Sequence, residues 1–148
     1  MSESAKIYQF KVSLDHVSPP VWRRIQVSEK TTLFELHKVI QIIMGWQGHH
    51  LHQFIINGKY YTDITDQEEW ESDSEDEFAY KLKSLKLKNG SRFKYEYDFG
   101  DDWSHTLILE EILPYQKGVR YPICIKGKNA CPPDDVGGPW GYKKLLEV

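Results

Sequence analysis

The chain has 148 residues, of which 40% are apolar, 28% charged and 14% aromatic, with two cysteines and a net charge of −3. That is the make-up of a single globular domain. It is too aromatic for a disordered chain, too poor in cysteine for a disulfide scaffold, and lacks the roughly 18-residue apolar run of a membrane span. The opening residues carry no secretory hydrophobic stretch, so a cytosolic address and no membrane contact are the default expectations.

Residues 7–14 alternate, with Tyr8, Phe10, Val12 and Leu14 on one side of a predicted strand. Pro19 and Pro20 mark a turn, and Val21–Val27 alternates again, completing a predicted antiparallel hairpin. Thr32-Leu33-Phe34-Glu35 has the form of a capping box, in which hydroxyl and carboxylate each satisfy an orphan amide. Leu33, Leu36, His37, Ile40, Ile43 and Met44 then recur at helical spacing, and Gly45 predicts the stop. Asn57-Gly58 predicts a tight hairpin between residues 51–57 and 59–62.

The next segment, 66–77, holds eight of the 22 acids and no Lys or Arg, so the rest of the chain carries 19 positive against 14 negative charges, a balance of +5. A block of like charge repels itself, which predicts a solvated, mobile loop. A balance of +5 is too modest to argue for nucleic acid. Leu82, Leu85 and Leu87 form a short apolar stretch, and Asn89-Gly90 turns the chain into a strand with Phe93, Tyr95, Tyr97 and Phe99 on one face. Gly100-Asp101 reverses it into another strand, Trp103–Leu113. An edge strand is expected over Val119–Lys126, broken by Pro122, and a short terminal helix after Pro139. Together these elements predict one α+β domain over 1–148. A mixed, mainly antiparallel sheet is crossed by one long helix, and the first half is β-grasp-like.

Five constellations are candidates for chemistry. Gly48-His49-His50-Leu51-His52 puts His50 and His52 on one face of a strand, where His105 would supply a third ligand to a divalent metal. Packing histidines at the start of a strand are the plain alternative. Tyr97-Asp98-Phe99-Gly100-Asp101-Asp102-Trp103-Ser104-His105 gathers three acids and a histidine around a turn, as a hard-metal or general-base cluster would. The same acids would equally cap backbone amides. Its Asp-Phe-Gly triplet is not a kinase motif, because no Gly-rich phosphate loop or His-Arg-Asp loop accompanies it. Cys124 and Cys131 are spaced too widely for a zinc knuckle and read as unlinked thiols. Cys131-Pro132-Pro133-Asp134-Asp135-Val136-Gly137-Gly138-Pro139-Trp140-Gly141-Tyr142 would bring backbone amides to an anion, or use its glycines for close packing. Trp22 and Arg24 project from the same strand face, as a contact hot spot or as an ordinary cross-strand pair.

These blocks, in this order, resemble the plasmid pRiA4b ORF-3-like family, also labelled the passenger-protein family of an insertion element. The stretches that carry the resemblance are Pro-Pro-Val-Trp-Arg-Arg-Ile at 19–25, Leu-His-Lys-Val-Ile-Gln at 36–41, Met-Gly-Trp at 44–46 and His-Leu-His-Gln-Phe at 50–54. Tyr-Asp-Phe-Gly-Asp-Asp-Trp-x-His at 97–105, Cys-Pro-Pro-Asp-Asp-Val-Gly-Gly at 131–138 and Gly141-Tyr142 complete them. The resemblance implies a setting in mobile elements and a longer helical C-terminus than this chain shows. A resolvase-like chemistry does not follow, because no nucleophilic serine sits with an arginine cluster.

Two functions are therefore carried forward. The first is a binding module for a protein or nucleic acid, using Trp22, Arg24, Asp98, Asp101, Asp102, Trp103, Asp134, Asp135, Gly137, Gly138 and Tyr142. The second is a small metal-dependent hydrolase built on His50, His52 and His105, with Asp101, Asp102, Asp134 or Asp135 as further ligand or base. The binding module is preferred, because no nucleophile, base and orienting group stand at defined spacing. Both readings require the motifs to meet at one rim of the sheet.

Overall fold

A computed structural model describes residues 5–48, 50–63, 74–133, 138–140 and 143. Strands β1 (Lys6–Leu14) and β2 (Val21–Ser28) form the expected hairpin, in register from Ile7 opposite Ser28 to Leu14 opposite Val21. Helix α1 (Leu33–Met44) starts on a complete capping box: Glu35 N donates to Thr32 Oγ1 at 3.1 Å, and Thr32 N donates to Glu35 Oε1 at 3.0 Å. It ends at Gly45, whose left-handed φ of 74° costs a glycine little. Strands β3 (His52–Ile56) and β4 (Lys59–Thr62) flank Asn57 and Gly58, both at positive φ, as the tight hairpin turn requires.

A two-residue strand β5 (Glu75–Asp76) pairs parallel with β4, and two 3-10 turns follow at Glu77–Ala79 and Leu82–Leu85. Strands β6 (Arg92–Tyr97), β7 (Trp103–Pro114) and β8 (Ile123–Lys128) complete one eight-stranded sheet of order β5-β4-β3-β6-β7-β1-β2-β8. Its other neighbouring pairs are all antiparallel.

One face of the sheet packs under α1. Phe10, Val12, Ile25, Leu107 and Leu109 from the strands bury against Leu33, Leu36, Ile40 and Met44 from the helix. At roughly 1.5–3 kcal/mol for each large apolar side chain removed from water, this layer holds helix to sheet. The opposite face is open and polar. No helix among the described residues is long and apolar enough to cross a membrane.

The structure differs from the sequence reading in four places. The sheet is larger than a β-grasp outline suggests, with β6 and β7 standing between β3 and β1. The acidic block is not all solvated loop. Residues 66–73 lie outside the described residues, but Glu75 and Asp76 enter the sheet and Glu77 is fully buried. Phe99 lies beyond the end of β6 and is 50% exposed, because the chain has already turned. The edge strand starts after Pro122 rather than at Val119. Of the expected terminal helix, residues 138–140 and 143 are helical and the others lie outside the described residues.

Candidate functional site

The turn joining β6 to β7 shows how the motifs are placed. Asp98 and Asp102 take left-handed φ values of 60° and 58°, a conformation Asp tolerates because its short carboxylate bonds the local backbone. Asp98 accepts from the amides of Gly100 and Asp101 at 3.2 and 3.3 Å. Its own amide donates to the Leu51 carbonyl at 2.8 Å, and its carboxylate lies 3.5 Å from His50 Nε2. The acidic bend is thereby tied to the histidine run.

The third motif reaches the same end of the sheet. Trp46 stacks on Tyr97 at 5.3 Å and lies tilted against Trp103 at 5.4 Å, and its indole N–H donates to the Pro132 carbonyl at 2.9 Å. Gly138 packs so closely that a Cβ there would lie 2.0 Å from the Asp101 carbonyl oxygen, so only glycine fits. The glycine thus serves close packing of backbone on backbone. Asp101 and Asp102 line a cleft of about 460 Å3 with His16, Pro139 and the exposed Trp140. Asp134, Asp135, Gly137 and Tyr142 lie outside the described residues.

The three histidines occupy three different settings. His50 is half-exposed beside Asp98 and against the Tyr97 ring. His52 is buried on the helix side of β3, its Nε2 2.7 Å from Glu77 Oε1. His105 is fully buried in β7, with Nδ1 3.2 and 3.1 Å from the carbonyls of Tyr95 and Trp103. Carbonyls only accept, so Nδ1 carries the proton and Nε2 is the acceptor, with no hydrogen-bond partner among the described residues. Burial pushes the His105 pKa down to about 4, against weaker raising contributions from the Tyr95 carbonyl, Asp15 and the Trp103 carbonyl. Among the described residues no three His, Cys, Asp or Glu side chains converge to hold a metal ion. The trio expected as ligands is therefore not one group here.

Trp103, expected on a binding surface, is a core residue with no exposed area. Trp22 and Arg24 stand on the open face of the sheet, opposite to the face that carries α1. Arg24 lies 5.1 Å over the Trp22 ring, with Lys11 at 4.9 Å, and grips Glu110 through two bonds of 2.7 and 2.9 Å. That bonding raises the Arg24 pKa and lowers that of Glu110. Lys94 on the same face pairs with Asp15 at 2.9 Å. Cys124 and Cys131 are unlinked, as expected; burial raises the Cys131 pKa, and its sulfur accepts from Arg23 at 3.1 Å.

A second cleft of about 520 Å3 lies between α1 and the start of β3, and it was not read from the sequence. Phe34, His37, Gln41, Trp46, His50 and His52 line it, with Lys38 and Asp63 at its margins. Its floor is a connected set of buried polar groups. Gly48 N donates to Gln41 Oε1 at 2.8 Å, and Gln41 Nε2 donates to Tyr95 Oη at 3.0 Å. Tyr95 Oη lies 2.6 Å from His37 Nδ1, and the His37 ring stacks on His52 at 3.5 Å, only 6° from parallel.

The proton directions follow from chemistry. Burial, with His52 and Lys38 adding to it, pushes the His37 pKa down to about 3, so the ring is neutral. Tyr95 Oη thus links Gln41, whose amide donates to it, with His37 Nδ1. Glu77 accepts from His52 through Oε1, while its buried Oε2 has no hydrogen-bond partner among the described residues. The stacked His37 and His52 rings thus line the cleft, and the buried Glu77 carboxylate holds His52 in place.

His37, Gln41, Tyr95 and Glu77 were missed as site residues. A signal existed for two of them: His37 and Gln41, four apart, put polar side chains on the buried stripe of α1. Glu77 had none, being the last acid of a charged run.

A family model described as plasmid pRiA4b ORF-3-like protein matches residues 6–148. The uncharacterized protein y4hQ of Sinorhizobium fredii is 39% identical over 145 residues, spanning 97% of this chain and 73% of that protein. A crystal structure of MM3350, a protein of unknown function from Methanosarcina mazei Go1, is similar at 40% identity and a TM-score of 0.87. That match covers 97% of this chain and 80% of the other.

Proposed function

The chain belongs to the plasmid pRiA4b ORF-3-like family, and from that premise we propose that it is a binding module whose ligand is a small polar molecule held between α1 and β3. The carrying observation is the cleft of about 520 Å3 above the His37–His52 stack. Its volume suits a small ligand, and convergent polar groups on a partly aromatic wall are what orient one. Buried polar groups cost stability unless they are satisfied, so a network kept beneath a cleft favours recognition over simple packing.

The open face supports a nucleic-acid ligand less well. Arg24 and Lys94 are each paired there with a carboxylate, so neither is spare for a phosphate. The plasmid in the family's name is what supports a setting in mobile elements.

The test is retention of metabolites. The purified protein is incubated with a deproteinised cell extract, ultrafiltered and analysed by mass spectrometry beside a Gln47→Trp variant. Gln47 is an exposed residue at the cleft, so the indole obstructs the opening without touching the core. A small polar species held by the wild type and lost from the variant is the expected result. An empty or identical set for the two proteins removes the reading.

A further inference from the structure

The two edges of the sheet are treated differently by the sequence. At one end β5 is only two residues long and runs straight into the 3-10 turn that buries Glu77. Shortness of that kind prevents a further strand from adding. At the other end β8 runs for six residues, all exposed, with β2 as its partner and no strand beyond it among the described residues.

A guarded edge carries polar residues throughout, and β8 does so only in part. Ile123 and Ile125 remain 37% and 45% exposed, and Ile42 on α1 is 77% exposed. An apolar groove of about 240 Å3 runs between helix and strand, lined by Val39, Ile42, Ile43, Pro122 and Ile123 together with Cys124. Farther along the same strand a cleft of about 410 Å3 presents Arg23, Lys126 and Lys128, and among the described residues lining it none is acidic. A strand edge with no further strand on it among the described residues, an apolar groove and a cleft whose described charges are all cationic therefore follow one another along a single strand.

We infer that the outer edge of β8 receives an extended acidic segment of another protein by strand addition. Main-chain bonds to the ladder supply affinity, alternate apolar side chains enter the groove, and carboxylates meet Lys126 and Lys128. Lys126 and Lys128 repel a basic strand, which gives direction to the choice of partner. This surface is separate from the cleft over His37 and stands independently of the reading made for it.

A fluorescein-labelled synthetic peptide alternating valine and glutamate serves as the probe, with fluorescence anisotropy as the readout. Saturable binding is expected, weakened about tenfold or more by the Lys126→Glu, Lys128→Glu double variant and by N-methylation of alternate peptide amides. A valine–lysine peptide should not bind. Both substituted lysines are exposed, and circular dichroism checks that the variant folds; the N-methylated peptide tests the ladder even if it does not. Absence of saturable binding overturns the inference, as does equal binding by the double variant or by the N-methylated peptide. Self-association of the unliganded chain through this edge, read by sedimentation and by amide protection over Ile123–Lys128, overturns it in favour of a second copy.

Discussion

Two buried imidazoles sit on either side of Tyr95, and they are buried for different reasons. His105 is held by the backbone, its Nδ1–H shared between the carbonyls of Tyr95 and Trp103, with the Tyr95 and Trp46 rings edge-on at 5.2 and 5.5 Å. His52 is held by side chains, between the Glu77 carboxylate and the His37 ring, and lines an open cleft. Burial alone does not separate a packing histidine from a recognition histidine. The identity of the partners does: backbone bonds fix a ring within a strand, whereas a side-chain network beside a cleft can respond to what enters it.

The largest effect that sharpens this contrast comes from Glu77. Replacing it by alanine leaves His52 buried without its acceptor and opens a small void. A loss of about 2–3 kcal/mol is expected by chemical denaturation, near the upper range for a hydrogen bond to a charged group. The Glu77→Gln variant keeps an acceptor and should retain part of the stability. If Glu77→Ala unfolds at the same denaturant concentration as the wild type, the network is not structural and the contrast fails.

How much of this was legible can be judged from the same residues. The capping box at Thr32 and the Asn57-Gly58 turn were readable because their chemistry is local: each signal lies within four residues of the structure it specifies. The meeting of His50, Asp98, Pro132 and Gly138 at one end of the sheet was also anticipated, since strand order brings turns together. Glu77 was not. Its burial depends on β5 pairing with β4, Tyr61 opposite Glu75, a non-local contact that no property of an acidic run announces. The cleft over His37 was hidden for the same reason, because its walls come from α1, the loop after it and β3.

The next effect is a dependence on pH. His37 and His105 titrate near 3 and 4 when folded, against an ordinary 6.5, so between those values the unfolded chain takes up protons that the folded chain refuses. Stability therefore falls as pH drops below about 6.5, by up to about 1.4 kcal/mol per pH unit for each histidine, and this loss levels off below the folded pKa values. Thermal midpoints measured from pH 7.5 downward should show the fall. His37→Gln and His105→Gln should each remove one histidine's share of the slope. A flat profile from pH 7 to 5 would contradict both burials.

The smallest effect discriminates best, because Tyr95 serves His105 and His37, the ring stacked on His52, with different atoms. Its hydroxyl bonds His37 and Gln41, while its backbone carbonyl bonds His105. Tyr95→Phe deletes the first set and leaves the second intact, at a cost of about 1 kcal/mol. Imidazole nitrogen correlation spectra give the sharper readout. The His37 ring signals should move on losing the hydrogen-bond partner of Nδ1, while the His105 signals should stay in place, held by a carbonyl that the substitution does not touch. Movement of both sets together would mean that the two regions form one coupled unit. The division between a backbone-held and a side-chain-held imidazole would then have no physical basis.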